Sequence, residues 1–590
     1  MCSRFLANLL RKKHEEEWRQ TQGPLVRCLT TFDLTMIGFG SVVGSGVYVV
    51  TGHLARNIAG PAIVLAFFMA SVAALLSGLC YAEFSSRIPK AGSSYAYTYI
   101  ALGEIWAFIV GWNIILEYFI IAAVLARSCS AVINSLSNGK IVDFFLTHLG
   151  RMQISGFIEY PDLLAGLLVI FCTFIVCLGV RQSVKVVTIT SLINIAVIIF
   201  IIIAGTYYSI GSNTWSSPKK FFPYGASGVL AAGAGAFYCF IGVDQITTAS
   251  EETIDPYRTL PRAIQLSMFV GFIAYFAVST VLTLMIPFYE LSRSAPLAEA
   301  FSTLGFKAGK YVVICGALAA MLSSLLSTLF GAPRIIYSMA TDGLLFKFFA
   351  IIFEKTKIPI VAALTSGFFV SLLTVFLSIQ QLLEMLSIGT LTAYTLLAVS
   401  VVVSRYDPHV KSVFPSPEIS SISTGIESRQ WWKKLFVNCC SLCSESVQKN
   451  GYKQILRETP SSYSGRLEKT SDILETSNAS EESALIARVA IACTTAALAG
   501  ILVTLSKCMK FVEQKEPWTI VVLCLCSVLV LFSQIVLCRQ PKNRATFPYM
   551  VPCVPLLPVF SIAVNLLLIV NLSYWSYIRF IIWLAVGKYL

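Results

Sequence analysis

Solid apolar stretches of about 18 to 25 residues recur along the chain, each long enough as a helix to cross a hydrocarbon core of about 30 Å. About fourteen can be drawn, over 31–51, 62–82, 99–124, 161–180, 186–206, 227–249, 263–286, 310–333, 359–379, 383–404, 485–505, 517–537, 549–570 and 574–590. A barrel would show alternating segments of about ten residues, and lipid leaves open strands without backbone partners. The pattern therefore predicts an all-α polytopic membrane protein.

The first ten stretches form a dense block, 31–404, that follows a charged N-terminal segment, 1–30, without the apolar core and cleavage site of a signal peptide. Residues 405–484 are polar and rich in Ser, Glu and Lys, which reads as a long cytoplasmic, largely disordered loop, and 485–590 carries the last four stretches. Lys and Arg are in excess on the segments that an inside N-terminus places in the cytoplasm, so both termini are expected there, although part of the excess lies in the long loop, which says little about orientation.

Composition sharpens this reading. Of 590 residues 56% are apolar and 13% charged, against about 25% charged in soluble domains, which excludes a soluble globular protein. The net charge of +13 fits cytoplasmic flanks beside anionic lipid, and no basic stripe with interleaved aromatics suggests a nucleic-acid partner. The 17 cysteines are scattered through apolar stretches without a paired framework, so no disulfides are expected. In the long loop, Trp431-Trp432-Lys433-Lys434 with Cys439, Cys440 and Cys443 reads either as a palmitoylated interfacial anchor or as a local apolar patch with ordinary thiols. No metal-ligand cluster, nucleophile triad or phosphate loop appears, and of His14, His53, His148 and His409 only His53 falls close to a membrane core, so neither an enzyme nor a cofactor is expected. Two sequons, at Asn478 and Asn571, fall in the cytosol or within a few residues of the bilayer, which makes glycosylation doubtful at either.

Glycine in a helix interior costs about 1 kcal/mol relative to Ala, and the first stretch carries four in nine residues, Gly38, Gly40, Gly44 and Gly46. The sixth repeats the theme with Gly233, Gly235 and Gly242. Each cluster alone is a close-packing surface or an unwound segment. Two interrupted helices five stretches apart point to an inverted-repeat secondary transporter, with repeats over 31–206 and 227–404. Half-helix N-termini then offer N–H groups to a carboxylate and unwound carbonyls accept from an ammonium group, a pairing that suits a zwitterionic amino acid.

Several strings carry a resemblance: Leu79-Cys-Tyr-Ala-Glu83-Phe before Arg87-Ile-Pro-Lys-Ala-Gly-Ser93, Gly103-Glu104-Ile-Trp106, Pro333-Arg334-Ile-Ile-Tyr337, Leu386-Ser-Ile-Gly389 and Phe547-Pro-Tyr-Met-Val-Pro552. With these the chain resembles the cationic amino acid transporter family of the amino acid–polyamine–organocation superfamily over about 30–405 and again from Arg539. The resemblance implies the LeuT-type fold, a 5+5 inverted repeat plus four additional C-terminal helices. It also implies a carboxylate site at Ser45, Gly46 and Val47 and an amine site at Tyr238, Cys239 and Phe240, with Tyr238 as a gate and with Gly44 and Gly242 as further substrate-binding positions. Glu104 and Asp244 are implied gating or coupling carboxylates. Asn194 stands where proton-coupled relatives carry a Lys, which favours uniport or exchange. The chain stops at Leu590, where relatives usually continue into a cytosolic tail.

Glu117 stands where well-known members look to have Ser, and two readings stay open: it meets the cationic end of a substrate or holds a proton, or it is neutral and hydrogen-bonded between helices. Ser323, Ser324, Ser327 and Thr328 can line a side-chain pocket, Thr328 most directly, or bond neighbouring helices. The expected function is sodium-independent transport of cationic L-amino acids such as arginine, lysine and ornithine by alternating access, in the plasma membrane or an endomembrane such as the lysosome. A neutral amino acid carrier and a non-transporting amino acid sensor remain as alternatives.

Overall fold

The computed structural model describes residues 11–13, 25–137, 139–149, 161–210, 215, 218–292, 295–378, 382, 388–410, 479–508, 516–543, 545, 547–572 and 574–587. The segment around Trp431 and Cys439, most of the long loop, His14 and Asn478 lie outside them. Among the described residues the chain is helical, with two isolated bridges, Leu29 with Thr253 and Phe353 with Ile358, and no strand.

Nine helical runs are long and apolar enough to cross a membrane, and four shorter apolar helices accompany them, among the described residues. The first run, Thr31–Ser85, contains two span lengths. It opens with α1 (Thr31–Val42), started by a capping box in which Thr30 and Asp33 satisfy each other's backbone N–H groups. After a non-helical step at Val43 the chain resumes in π and α turns over Gly46–Val50, Thr51–Leu54 and Ala55–Ala59, and α2 covers Ile63–Ser85.

Next come α3 (Ser94–Ala101), α4 (Glu104–Leu136), α5 (Leu163–Cys177) and α6 (Val180–Ser209). The second interrupted pair is α7 (Gly225–Phe237) and α8 (Val243–Thr248), followed by α9 (Pro256–Met285), α10 (Pro296–Thr303), α11 (Lys307–Thr341), α12 (Ile360–Phe376) and α13 (Ile388–Tyr406). The C-terminal helices are α14 (Glu481–Lys507), α15 (Pro517–Arg539), α16 (Leu556–Val570) and α17 (Tyr574–Gly587).

The stretch read as 99–124 divides differently in the structure. Gly103, at φ +105°, turns the chain after α3, and α4 then runs 33 residues to Leu136. Its polar tail remains helical inside the protein because Arg127 donates to the Thr374 carbonyl and lies 3.9 Å from Asp162, which in turn accepts from Ser130.

The core sits where α4 packs along α11 and α2 along α9, with α1 wedged against α9, α6 and α11. Large apolar side chains on the outer helices face outward instead, among them Leu525, Leu531 and Phe532 of α15. An exposed apolar surface of that extent needs lipid.

Candidate functional site

The two helix breaks meet. A Cβ on Gly242 would lie 2.7 Å from Ser41 Cβ, and one on Gly46 would lie 2.9 Å from Cys239 Sγ, so both glycines are required by close approach of one break to the other. Gly242 also sits at φ +144°, which L side chains rarely adopt, after Ile241 has left the 3-10 turn Tyr238–Phe240 in an extended conformation.

Side chains from neighbouring helices hold the breaks open. The Tyr275 hydroxyl on α9 donates to the Val42 carbonyl at 2.8 Å and lies 3.4 Å from the Cys239 carbonyl. Asn194 on α6 donates from Nδ2 to the Val43 carbonyl at 3.0 Å and accepts at Oδ1 from the Tyr48 hydroxyl at 2.7 Å. Both atoms of that amide are therefore committed to the first break. Ser324 on α11 lies 3.4 Å from the Ser41 carbonyl.

Between the breaks is a cavity of about 20 Å³, room for a single water, lined by Ser41, Gly44, Ser45, Gly46, Tyr238, Cys239, Tyr275 and Ser324 with apolar neighbours. Its lining side chains are uncharged. A larger cavity of about 320 Å³ opens one helical turn away, where Ser128 follows Leu125 on α4 and Met321 precedes Ser324 on α11; it is also lined by Tyr48, Glu299 and Lys310. On the opposite side the breaks are sealed by polar contacts. Ser41 donates to Gln245, Gln245 donates to Thr328 at 3.1 Å, and the fully buried Arg334 and Glu252 form a bidentate pair at 2.7 and 3.1 Å.

Of the residues expected at the site, Gly44, Ser45, Gly46, Tyr238 and Cys239 line the small cavity. Val47 and Phe240 are buried beside it, the Phe240 ring 5.0 Å from that of Tyr275. Thr328 is not in the lining: its hydroxyl donates to the Ser324 carbonyl and accepts from Gln245, and Ser324 takes the cavity position instead. Asp244 accepts from the Tyr118 hydroxyl behind the second break. Glu104 lies at the start of α4, where it accepts from Tyr99 at 2.9 Å and pairs with Arg11 at 3.5 Å. Glu117 lines a different cavity, between α4, α13 and α17. Asn571 is exposed after α16 and accepts from Ser506 at 2.8 Å.

An amino acid permease family model matches residues 29–444, and a model of the C-terminus of such permeases matches 549–590. The chain is similar to cationic amino acid transporter 4 of Mus musculus, 38% identical over 99% of this chain and 89% of that protein. The Homo sapiens protein of the same name is 38% identical over 95% of this chain and 86% of its own length. The chain belongs to the cationic amino acid transporter family. A third relative, "Cationic amino acid transporter 4, vacuolar" of Arabidopsis thaliana, is 33% identical over 98% of this chain and 94% of its own length.

Sequence reasoning missed Tyr275 and Gln245, the two side chains that tie the breaks to each other and to α11; Tyr275 is one polar residue in an apolar window, and Gln245 stands in a polar run with Asp244, Thr247 and Thr248 that does not single it out.

Proposed function

We propose that the chain carries cationic L-amino acids across a membrane by alternating access, without sodium, as a uniporter or exchanger. The observation that carries this reading is the face-to-face arrangement of two helix breaks around a polar cavity in a chain of this family. Backbone N–H groups at Ser45 to Val47 begin a half-helix and suit a carboxylate, while carbonyls of the Tyr238–Phe240 turn suit an ammonium group. The cavity is too small for an amino acid as it stands, so Tyr238 and the half-helices must shift to admit one.

In this reading 31–206 and 227–404 are inverted five-span repeats within a fourteen-span chain. The packing of α2 on α9, α4 on α11 and α5 on α12, each with its counterpart five spans later, supports that arrangement. We place the termini in the cytoplasm and the protein in the plasma membrane, although one relative is named for the vacuole. Asn194, fully engaged with the first break, provides no titratable group there, which supports transport without proton coupling.

The uncharged lining favours a second reading, a neutral amino acid carrier. Uptake of radiolabelled arginine into cells expressing the chain, with unlabelled lysine, leucine or glutamate and with or without sodium, separates the two. Sodium-independent uptake blocked by lysine alone supports the cationic reading. Blockade by leucine moves the substrate class, and no uptake at normal surface density overturns both.

A further inference from the structure

The terminal helix α17 is joined to the transport core at a point the substrate site does not use. The indole rings of Trp112 on α4 and Trp583 on α17 stack at 4.4 Å with an interplanar angle of 6°. Each indole N–H donates to the other residue's carbonyl, Trp112 to Trp583 at 2.9 Å and Trp583 to Trp112 at 3.0 Å. Such a reciprocal clasp satisfies both indoles and fixes register as well as contact. Gly587 permits the approach, because a Cβ there would meet Trp112 Nε1 at 2.6 Å.

One turn along each helix from this clasp stands a charge. Arg579 precedes Trp583 by four residues on α17, and Glu117 follows Trp112 by five on α4, so the antiparallel helices carry both to the same end of the clasp. They line a common cavity of about 20 Å³ with Asn113, Ser576 and Gly389. Glu117 is 4% exposed, and its Oε2 approaches to 3.0 Å of where a Gly389 Cβ would be. An acid or a guanidinium at membrane depth is costly alone, and the cavity between them has room and polar partners for one water.

We propose that Arg579 of the terminal helix is the counter-cation of Glu117 across a bridging water, and that this pair and the tryptophan clasp together make α17 a fixed part of the transport core. Arg579 is then a positioning residue. Glu117 is committed to the chain's own cation and leaves recognition of the substrate's charge to the central cavity and its approach. That consequence rests on the proposed transport function; the pairing itself does not.

The test uses the full-length protein with Glu117→Gln, Arg579→Met, the double variant, and Arg579→Lys. Thermal midpoints in detergent should fall for each single substitution, fall by less than the sum for the double, and return most of the way for Arg579→Lys. Arginine uptake at equal surface density should drop about tenfold or more in Arg579→Met, since the cation that faces Glu117 across the cavity is removed, and recover in Arg579→Lys. Additive midpoint losses, or a Lys variant no better than Met, overturn the proposal. If the wild-type chain takes up no amino acid, the transport reading fails while the thermal cycle still decides the pair.

Discussion

A methyl group has no room at Gly46. Its carbon would lie 2.2 Å from the Tyr275 hydroxyl and 3.1 Å from Cys239 Cβ, so Gly46→Ala must push apart the two breaks that frame the central cavity. Uptake normalised to surface density is expected to fall at least about tenfold, equivalent to about 1.4 kcal/mol, and an Ala variant that transports normally would remove this residue from the site. Tyr275→Phe leaves the Val42 carbonyl without its donor, and should lower stability by roughly 1 kcal/mol and slow uptake. The thermal midpoint in detergent and the initial uptake rate check both effects. The glycines were legible in the sequence because two clusters recur five stretches apart, which close packing of a single helix does not explain. Tyr275 was not, because one tyrosine in an apolar helix gives no pattern, and its role exists only where α9 crosses the break in α1.

At the scale of elements, the face of the molecule nearest the N-terminal end of α1 is held by charge pairs between helices. Arg334 on α11 grips Glu252 after α8, and Arg405 at the end of α13 grips Glu83 on α2 at 2.8 and 2.9 Å. Removing one partner of a buried pair costs roughly 3–5 kcal/mol, whereas replacing both with apolar residues costs less. Glu252→Gln should therefore lower the thermal midpoint more than the double change Glu252→Leu with Arg334→Met.

Residues 11–13 cross the same face, with Arg11 at Glu104, Lys12 3.7 Å from Asp407 and Lys13 paired with Asp342. Burial, and then the Arg488 guanidinium, push the Lys12 ammonium below the ordinary lysine value of 10.5, against the pull of Asp407. A base depressed by folding costs stability while it is protonated, and that cost fades as the pH rises from its folded-state value toward 10.5. Lys12→Met should accordingly hold or raise the midpoint at pH 7, with the gain shrinking in alkaline buffer; a clear loss at pH 7 would contradict this. The apolar pattern showed the helices but misjudged their ends. It stopped the third stretch at 124 because the polar residues beyond find partners at Asp162, the N-cap of α5, and on α12 that local sequence cannot reveal.

For the molecule as a whole, the central cavity is sealed on one side by Ser41, Gln245 and the Arg334 pair, and adjoins a roomier cavity on the other. That asymmetry is what a carrier caught between access to one side and the other requires. The apolar stretches made the membrane architecture plain, and the motifs made the family plain. The position of Glu117 away from the central cavity was not legible, since spacing along α4 does not say which neighbour covers each face.

The most direct test is accumulation of radiolabelled arginine in sodium-free liposomes containing the purified chain, with an imposed inside-negative potential. Each elementary charge gains about 2.3 kcal/mol per 100 mV, so an electrogenic carrier of cationic amino acids should accumulate arginine steeply with potential, and Gly46→Ala should abolish it. Uptake indifferent to potential would contradict uniport, and no uptake into either empty or lysine-loaded liposomes, or uptake equal in the Ala variant, would contradict transport of a cationic amino acid through the paired helix breaks.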